Sequence, residues 1–84
     1  KSDLLKAFGW GIRMIRERQG RTRNDVCGDE LSSSTLIRIE LGDFSCRLDV
    51  ALYLCERLTT SIPIAIRLGQ EYVFTPARDD DEEY

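Results

Sequence analysis

Apolar residues recur at steps of three and four near the start of the chain. Within residues 4 to 19, the apolar positions that keep this spacing are Leu4, Leu5, Phe8, Ile12 and Ile15. Basic residues lie between them, which is typical of an amphipathic helix that buries one face. Because glycine readily ends a helix, Gly20 marks its predicted C-terminus.

Two short helices are predicted next. Thr22 is a typical N-terminal cap with an acidic residue three positions later, and Gly28 is suited to end the helix that it opens. Ser32 is the predicted cap of a third helix, Ser33 to Leu41, and Gly42 closes it. The spacing between the two helices is short, as in a helix-turn-helix unit.

A fourth helix is predicted from about Arg47 to Leu58. Its predicted core positions are Leu48, Ala51, Leu52, Cys55 and Leu58. Val50 and Leu54 are four residues apart and therefore lie on the same side of the helix, where they form a second apolar face. We predict that Val50 and Leu54, together with Ile62 and Ile66 of the following segment, form a two-fold dimer interface.

Residues 61 to 75 allow two structures. Ser61 is a suitable cap for a fifth helix with Pro63 in its first turn and Gly69 after its end. The alternation of Ile62, Ile64, Ile66 and Leu68 also fits a β-hairpin or an intersubunit strand that turns at Gly69 and Gln70. The predicted fold class is therefore all-α with four or five helices, and a short C-terminal β segment stays open.

The length of 84 residues allows one small domain, which we place at residues 1 to 76. The end of the chain, residues 77 to 84, reads as an acidic disordered tail. No apolar run approaches the ~20 residues of a membrane-spanning helix. We expect a cytoplasmic protein that has no membrane partner.

The net charge of −3 is unevenly distributed. Residues 1 to 24 hold seven basic residues against two acidic ones, whereas residues 79 to 84 hold five acids and no base. Without that tail the charge becomes +2, which permits DNA binding without indicating it.

Three cysteines and no histidine restrict the chemistry of the chain. Cys27, Cys46 and Cys55 are odd in number and include no C-x-x-C pair, so we predict reduced thiols and no metal site. No nucleophile lies next to a plausible base in the sequence, so we expect neither an enzyme nor a bound cofactor.

The third helix has a polar face suited to the major groove of DNA. At 100° per residue, Leu36, Ile39 and Glu40 point one way; the candidate base-contacting residues on the other side and at the leading end are Ser33, Ser34, Ile37 and Arg38. Small hydroxyls allow a close approach, arginine pairs with guanine, and isoleucine can contact a thymine methyl. The alternative is an ordinary solvated helix surface.

Arg16 and Glu40 each lie beside the apolar stripe of their own helix. A buried charge without a partner is strongly unfavourable, so we predict that the two form an ion pair between the first and third helices. The alternative is that each side chain reaches water independently.

These features together resemble the phage-repressor, Cro-like helix-turn-helix family. The stretches that carry the resemblance lie between residues 8 and 58 and read FGWGIRMIRERQG, TRNDVC and SSSTLIRIELGDFSCRLDVALYLCERL. The most specific signals are RIE-x-G with a leucine eight residues after the glutamate, and an arginine four residues before the glycine that ends the first helix. The resemblance implies a lambda-repressor-like fold.

The resemblance also implies roles for particular residues. Arg16 and Glu40 would form the family's interhelical salt bridge, and Ser33, Ser34 and Arg38 would contact bases. Thr22 and Arg23, with the neighbouring Arg21, are the candidate phosphate contacts, because free amides at a helix start favour an anion. The turn GDEL replaces the family's apolar-glycine-apolar turn, and the spacing from Gly20 to Glu40 is one residue shorter than is usual in the family. Both departures leave the interhelical angle open.

The sequence thus predicts a dimeric, sequence-specific DNA-binding transcriptional regulator, a repressor that places residues 33 to 41 in the major groove. Its expected partners are double-stranded DNA and a second copy of the chain. The alternative is a protein-interaction module on the same fold, such as an antitoxin, antirepressor or phage accessory factor with weak or partner-dependent DNA binding. The acidic turn, the acidic tail and the apolar residues 62 to 74 support that alternative.

Overall fold

The computed structural model describes residues 2 to 42 and 46 to 73. These residues form five helices and no strand: α1 (Ser2–Arg18), α2 (Arg23–Cys27), α3 (Ser33–Leu41), α4 (Leu48–Arg57) and α5 (Ile62–Val73). The predicted all-α class is confirmed. The predicted acidic tail lies outside the described residues. No helix in the described ranges is long and apolar enough to cross a bilayer.

Side-chain caps begin the two short helices where the sequence predicts them. Thr22 Oγ1 accepts a hydrogen bond from the amide of Asp25 at 3.1 Å. Ser32 Oγ accepts one from the amide of Thr35 at 3.2 Å, and Gly42 ends α3 with a φ of 78°. Each cap satisfies an amide that has no partner inside its own helix, so both helices have defined starts.

One hydrophobic core collects residues from all five helices. Its largest fully buried apolar side chains are Ile12, Leu36, Ile39, Leu54, Leu58 and Val26. Helix α2 contributes only Val26 and Cys27, because it is only five residues long. The orientation of α2 therefore depends little on apolar packing.

Helices α1 and α5 approach each other backbone to backbone. A Cβ atom added at Gly69 would overlap the carbonyl oxygen of Ala7, and one added at Gly11 would overlap that of Ala65. Because position 7 faces 69 and position 11 faces 65, the two helices run antiparallel. Glycine at these two positions is what allows the close approach.

This contact settles the structure of residues 61 to 75 as far as they are described. They form a helix, and the alternating isoleucines do not form a strand within residues 62 to 73. The predicted helix end at Gly69 is wrong, because α5 continues to Val73. Gly69 serves the packing of α5 on α1 rather than the termination of the helix.

The predicted face of α4 needs correction. Leu54 is fully buried in the core, so its assignment to a dimer interface is wrong. Leu48 and Leu52, predicted as core residues, are 68% and 54% exposed. Apolar residues occupy so many positions of α4 that two overlapping stripes fit helical spacing, and the stripe with Leu54 and Leu58 is the buried one.

The other predicted dimer residues lie at the edge of the core. Val50, Ile62 and Ile66 are half-buried and pack against it. An apolar groove of about 360 Å³ runs between the starts of α1, α4 and α5; its lining includes Leu4, Leu48, Ile62 and Ile66. All the side chains that line this groove are apolar.

Candidate nucleic-acid interface

Helix α3 has one buried side and one exposed side. Leu36 and Ile39 are buried against the core, whereas Ser34 and Arg38 are exposed one helical turn apart. Ile37 is 37% exposed. The outward side therefore combines a small hydroxyl, an apolar side chain and a guanidinium, each of which has a partner group on base edges.

An open depression of about 400 Å³ joins the start of α2 to the outward side of α3. The residues that line it are Arg16, Thr22, Arg23, Asn24, Ser33 and Ile37. It brings two candidate phosphate contacts, Thr22 and Arg23, next to two candidate base contacts, Ser33 and Ile37. Asn24 has no predicted role but adds an amide to the same surface.

A buried carboxylate lies beneath this depression. Glu40 is 1% exposed at its side chain and accepts hydrogen bonds from Arg16 Nε at 2.8 Å and Arg16 Nη2 at 3.2 Å. Arg23 Nε donates to the same carboxylate at 3.0 Å. The structure thus places Arg16 and Glu40 together as the sequence predicts and adds Arg23 as a third member.

The three charges change the electrostatics of the surface. Two guanidinium groups surround one carboxylate that faces the protein interior, and the exposed Glu17, 3.8 Å from Arg16, offsets part of the remaining positive charge. Glu40 therefore does not repel an anion as an exposed glutamate would. Asp29 and Glu30 in the turn between α2 and α3 stay exposed.

Arg21 does not line the depression. Its Nε donates to Asp25 Oδ2 at 2.8 Å, and its Nη1 donates to the carbonyl oxygen of Arg57. The hydrogen bond from Arg21 holds the pKa of Asp25 below the ordinary value of 3.8. Arg21 therefore connects α2 to the end of α4, and Asp25 compensates its charge.

Two residues of α4 support α2 in a way that the sequence analysis did not predict. Tyr53 Oη donates to the carbonyl oxygen of Cys27 at 2.7 Å. Arg57 Nε donates to the carbonyl oxygen of Val26 at 3.1 Å, and Arg57 Nη2 donates to that of Asp25. The available sequence signal was a tyrosine and an arginine four apart on the polar side of α4.

The cysteines are packing residues. Cys27 and Cys55 are buried and Cys46 is half-buried, all three as free thiols. Burial raises the pKa of each thiol above its ordinary value, so each is uncharged near neutral pH. In the described parts of the chain, no group of three or more cysteine or acidic side chains is arranged to hold a metal ion.

No protein-family model, curated protein or solved structure matches this chain. Its function is therefore inferred from the residues and their geometry.

Proposed function

We propose that this chain is a sequence-specific DNA-binding transcriptional regulator of the phage-repressor, Cro-like helix-turn-helix type, acting in the cytoplasm as a dimeric repressor. The observation that carries the proposal is the arrangement of α3. Its apolar side is buried, its polar side is exposed, and the short capped helix α2 lies across its start. A major groove about 12 Å wide accepts one helix presented in this manner.

The base contacts follow from the outward side of α3. Arg38 is assigned to guanine, because a guanidinium can donate two parallel hydrogen bonds to that base. Ile37 is assigned to a thymine methyl group. Ser33 and Ser34 stand at the start of the helix, where small side chains allow the backbone to approach the base edges.

The phosphate contacts are assigned to Thr22 and Arg23 at the start of α2. The Thr22 hydroxyl accepts from an amide and keeps its own hydrogen for a phosphate oxygen. Arg23 is 36% exposed at its side chain, and its remaining N–H groups supply positive charge beside the depression. Arg21 has a smaller part because its guanidinium joins Asp25 and α4.

Dimerisation supports this function because one copy offers few phosphate contacts. The proposed interface keeps Ile62 and Ile66, which line the apolar groove, and replaces Leu54 by the exposed Leu48 of that groove and by Leu52, which lines an adjoining depression with Ile62. Val50 is left out because it lines a separate depression beside Tyr53. Two copies would double the charge and the base contacts that act on one duplex, and half-sites one helical turn apart would match the two-fold axis.

A second candidate function is a protein-interaction module on the same fold. The observation that favours it is the combination of exposed acids, Asp29 and Glu30, beside the proposed DNA-facing side with exposed leucines on α4. An antitoxin, antirepressor or phage accessory factor would use the apolar groove for its partner. Its DNA binding would then be weak or partner-dependent.

Selection from random duplexes at roughly 50 to 100 mM salt tests the proposal, because phosphate contacts are strong in that range. Arg38→Ala should lose about 1 to 3 kcal/mol on the selected duplex and relax preference at one base pair, with little change on bulk DNA. Arg67→Ala, an exposed arginine of α5, is the matched control. If no duplex is preferred, even after deletion of residues 79 to 84, the interaction module replaces the regulator.

Substitution of Arg23 tests the phosphate assignment separately. Arg23→Gln should weaken binding to all duplexes alike and reduce the slope of log affinity against log salt by about one unit. A change confined to the selected duplex would instead place Arg23 among the base contacts.

Light scattering with and without DNA tests the dimer. Leu52→Ser should shift the chain towards the monomer, whereas Ile64→Ser, at a different depression of α5, should not. A wild-type mass that stays monomeric at high concentration and on DNA would remove the dimer from the proposal.

A further inference from the structure

We propose that Tyr53 and Arg57 are positioning residues that set the angle between α2 and α3, so that α4 is part of the unit that reads DNA. The DNA-binding consequence rests on the proposed function, whereas the structural consequence does not. The proposal rests on the contact between the C-terminal half of α4 and the last three residues of α2.

Helix α2 needs contacts with other helices to fix its orientation. It has only five residues, so its final carbonyl groups have no partners within the helix. Tyr53 and Arg57 supply donors to the carbonyl oxygens of Asp25, Val26 and Cys27. Three consecutive carbonyl groups of α2 therefore point at α4, and their hydrogen bonds define one orientation of the helix.

The end of α2 is also fitted closely against α4. Gly28 has a φ of 58°, and a Cβ atom at this position would lie 2.7 Å from Tyr53 Oη. A larger residue at position 28 would therefore displace the tyrosine or the chain. The contact with Tyr53 continues into the first residue of the turn that leads to α3.

Helix α3 is attached elsewhere. Its Ile39 and Glu40 backbone lies so close to Gly9 of α1 that a Cβ at Gly9 would overlap the Ile39 carbonyl oxygen. Arg16 of α1 adds two hydrogen bonds to the Glu40 carboxylate. Helix α3 is thus fixed to α1, while α4 holds the carbonyl groups of α2 and α2 also packs directly on α3.

The angle between the two helices consequently depends on both attachments. Arg23 joins them through Glu40, and residues 28 to 32 join them through the chain. If the Tyr53–Arg57 contacts are lost, α2 can shift while α3 stays on α1. The phosphate contacts at Thr22 and Arg23 then move relative to the base contacts at Ser34 and Arg38, and recognition tolerates only about 0.5 Å of such displacement.

Amide chemical shifts measured without DNA test the structural part. The variants are Tyr53→Phe, which keeps the ring and removes one hydroxyl, and Arg57→Met, with Arg67→Met on α5 as the charge-matched control. We expect the first two to shift amide signals along α2 as far as its start at Thr22 and Arg23, and at Ser33 and Ile37, which share a depression with that start, and the control to leave them in place. Changes confined to the immediate neighbours of residues 25 to 28 would overturn the proposal.

Binding of the same folded variants to DNA tests the functional part. Preference for the selected duplex over bulk DNA should fall about tenfold, as for one lost base contact, while affinity for bulk DNA changes less than about twofold because phosphate contacts are less direction-dependent. If the two residues only stabilised the fold, the affinities for the selected duplex and for bulk DNA would fall by the same factor, which is set by the fraction of folded protein. If the wild type prefers a specific duplex and both Tyr53→Phe and Arg57→Met keep that preference unchanged, the positioning role is overturned.

Failure of the two ideas is distinguishable. If the wild type prefers no duplex, the proposed function fails, and the amide shifts alone decide whether Tyr53 and Arg57 orient α2. If the wild type prefers a duplex and the signals at the start of α2 do not move, the function stands and the positioning role falls.

Discussion

The α1–α5 pair and the α2–α3 unit are held by different kinds of interaction. Helices α1 and α5 meet backbone to backbone through Gly11 and Gly69, with small apolar residues opposite each. Helix α3 also packs Leu36 and Ile39 into the core and lies against Gly9, but α2 and the Glu40 end of α3 are held in addition by arginines, a tyrosine and one buried carboxylate. The first region is a steric fit, and the second adds directed polar contacts to its packing.

The difference reflects the size of the elements. A helix as long as α1 or α5 has enough surface for close packing to fix its position. Helix α2 buries only Val26 and Cys27, so packing alone leaves its rotation open. Hydrogen bonds depend on direction as well as distance and can supply the missing orientation.

Removal of the buried carboxylate should produce the largest effect. Glu40→Gln leaves Arg16, only 7% exposed, without its buried counter-ion, and we expect a loss of about 3 to 5 kcal/mol of unfolding free energy. Urea denaturation measures it. Asp49→Asn removes the partner of Arg47 in a fully exposed pair and should cost less than about 1 kcal/mol. Similar small effects for both variants would mean that the α2–α3 unit does not depend on its charge cluster.

The steric region should respond to a single methyl group. Gly69→Ala places a Cβ against the Ala7 carbonyl oxygen, and we expect a loss of about 1 to 3 kcal/mol despite the better helix propensity of alanine. Gln70→Ala, at the next and exposed position, is the control and should be neutral or slightly stabilising. A stabilised Gly69→Ala protein would show that the α1–α5 contact can relax.

Loss of the cap on α2 should have an intermediate effect. Thr22→Ala removes the oxygen that accepts from the Asp25 amide, at a cost of about 1 kcal/mol. Thr22→Ser keeps the oxygen and should retain most of the stability. Equal losses in the two variants would point to the threonine methyl group rather than to capping.

The exposed pair of Arg21 and Asp25 should have the smallest effect, and it depends on pH. Because Arg21 lowers the pKa of Asp25 below 3.8, the pair stabilises the folded state above that value and loses its contribution as pH falls through the lowered pKa. Asp25→Asn should abolish this part of the acid sensitivity. Urea midpoints measured above and below the ordinary aspartate value check it, and identical pH profiles for wild type and variant would contradict the pairing.

Local signals in the sequence were sufficient for most of the helix boundaries. Thr22, Ser32 and Gly42 mark helix ends by chemistry that involves only their neighbours in the chain, and each acts in the structure as predicted. The pairing of Arg16 with Glu40 could also be inferred, since two charges beside apolar stripes have few other ways to avoid an unpaired burial.

Helix propensity and helical spacing act over a few residues, so they were enough to predict the class of fold, the capped helices α2 and α3 and the polar outward side of α3. Packing between distant helices was needed to establish that residues 62 to 73 form a helix and that Leu54, not Leu52, is buried. The spacing of residues 62 to 73 fits either a helix or a strand, and the spacing of α4 fits either of two buried stripes. The contact of Gly69 with α1 and the packing of the core decide between them. The contacts of Tyr53 and Arg57 with α2 join residues 26 to 32 positions apart, a separation at which periodicity carries no information.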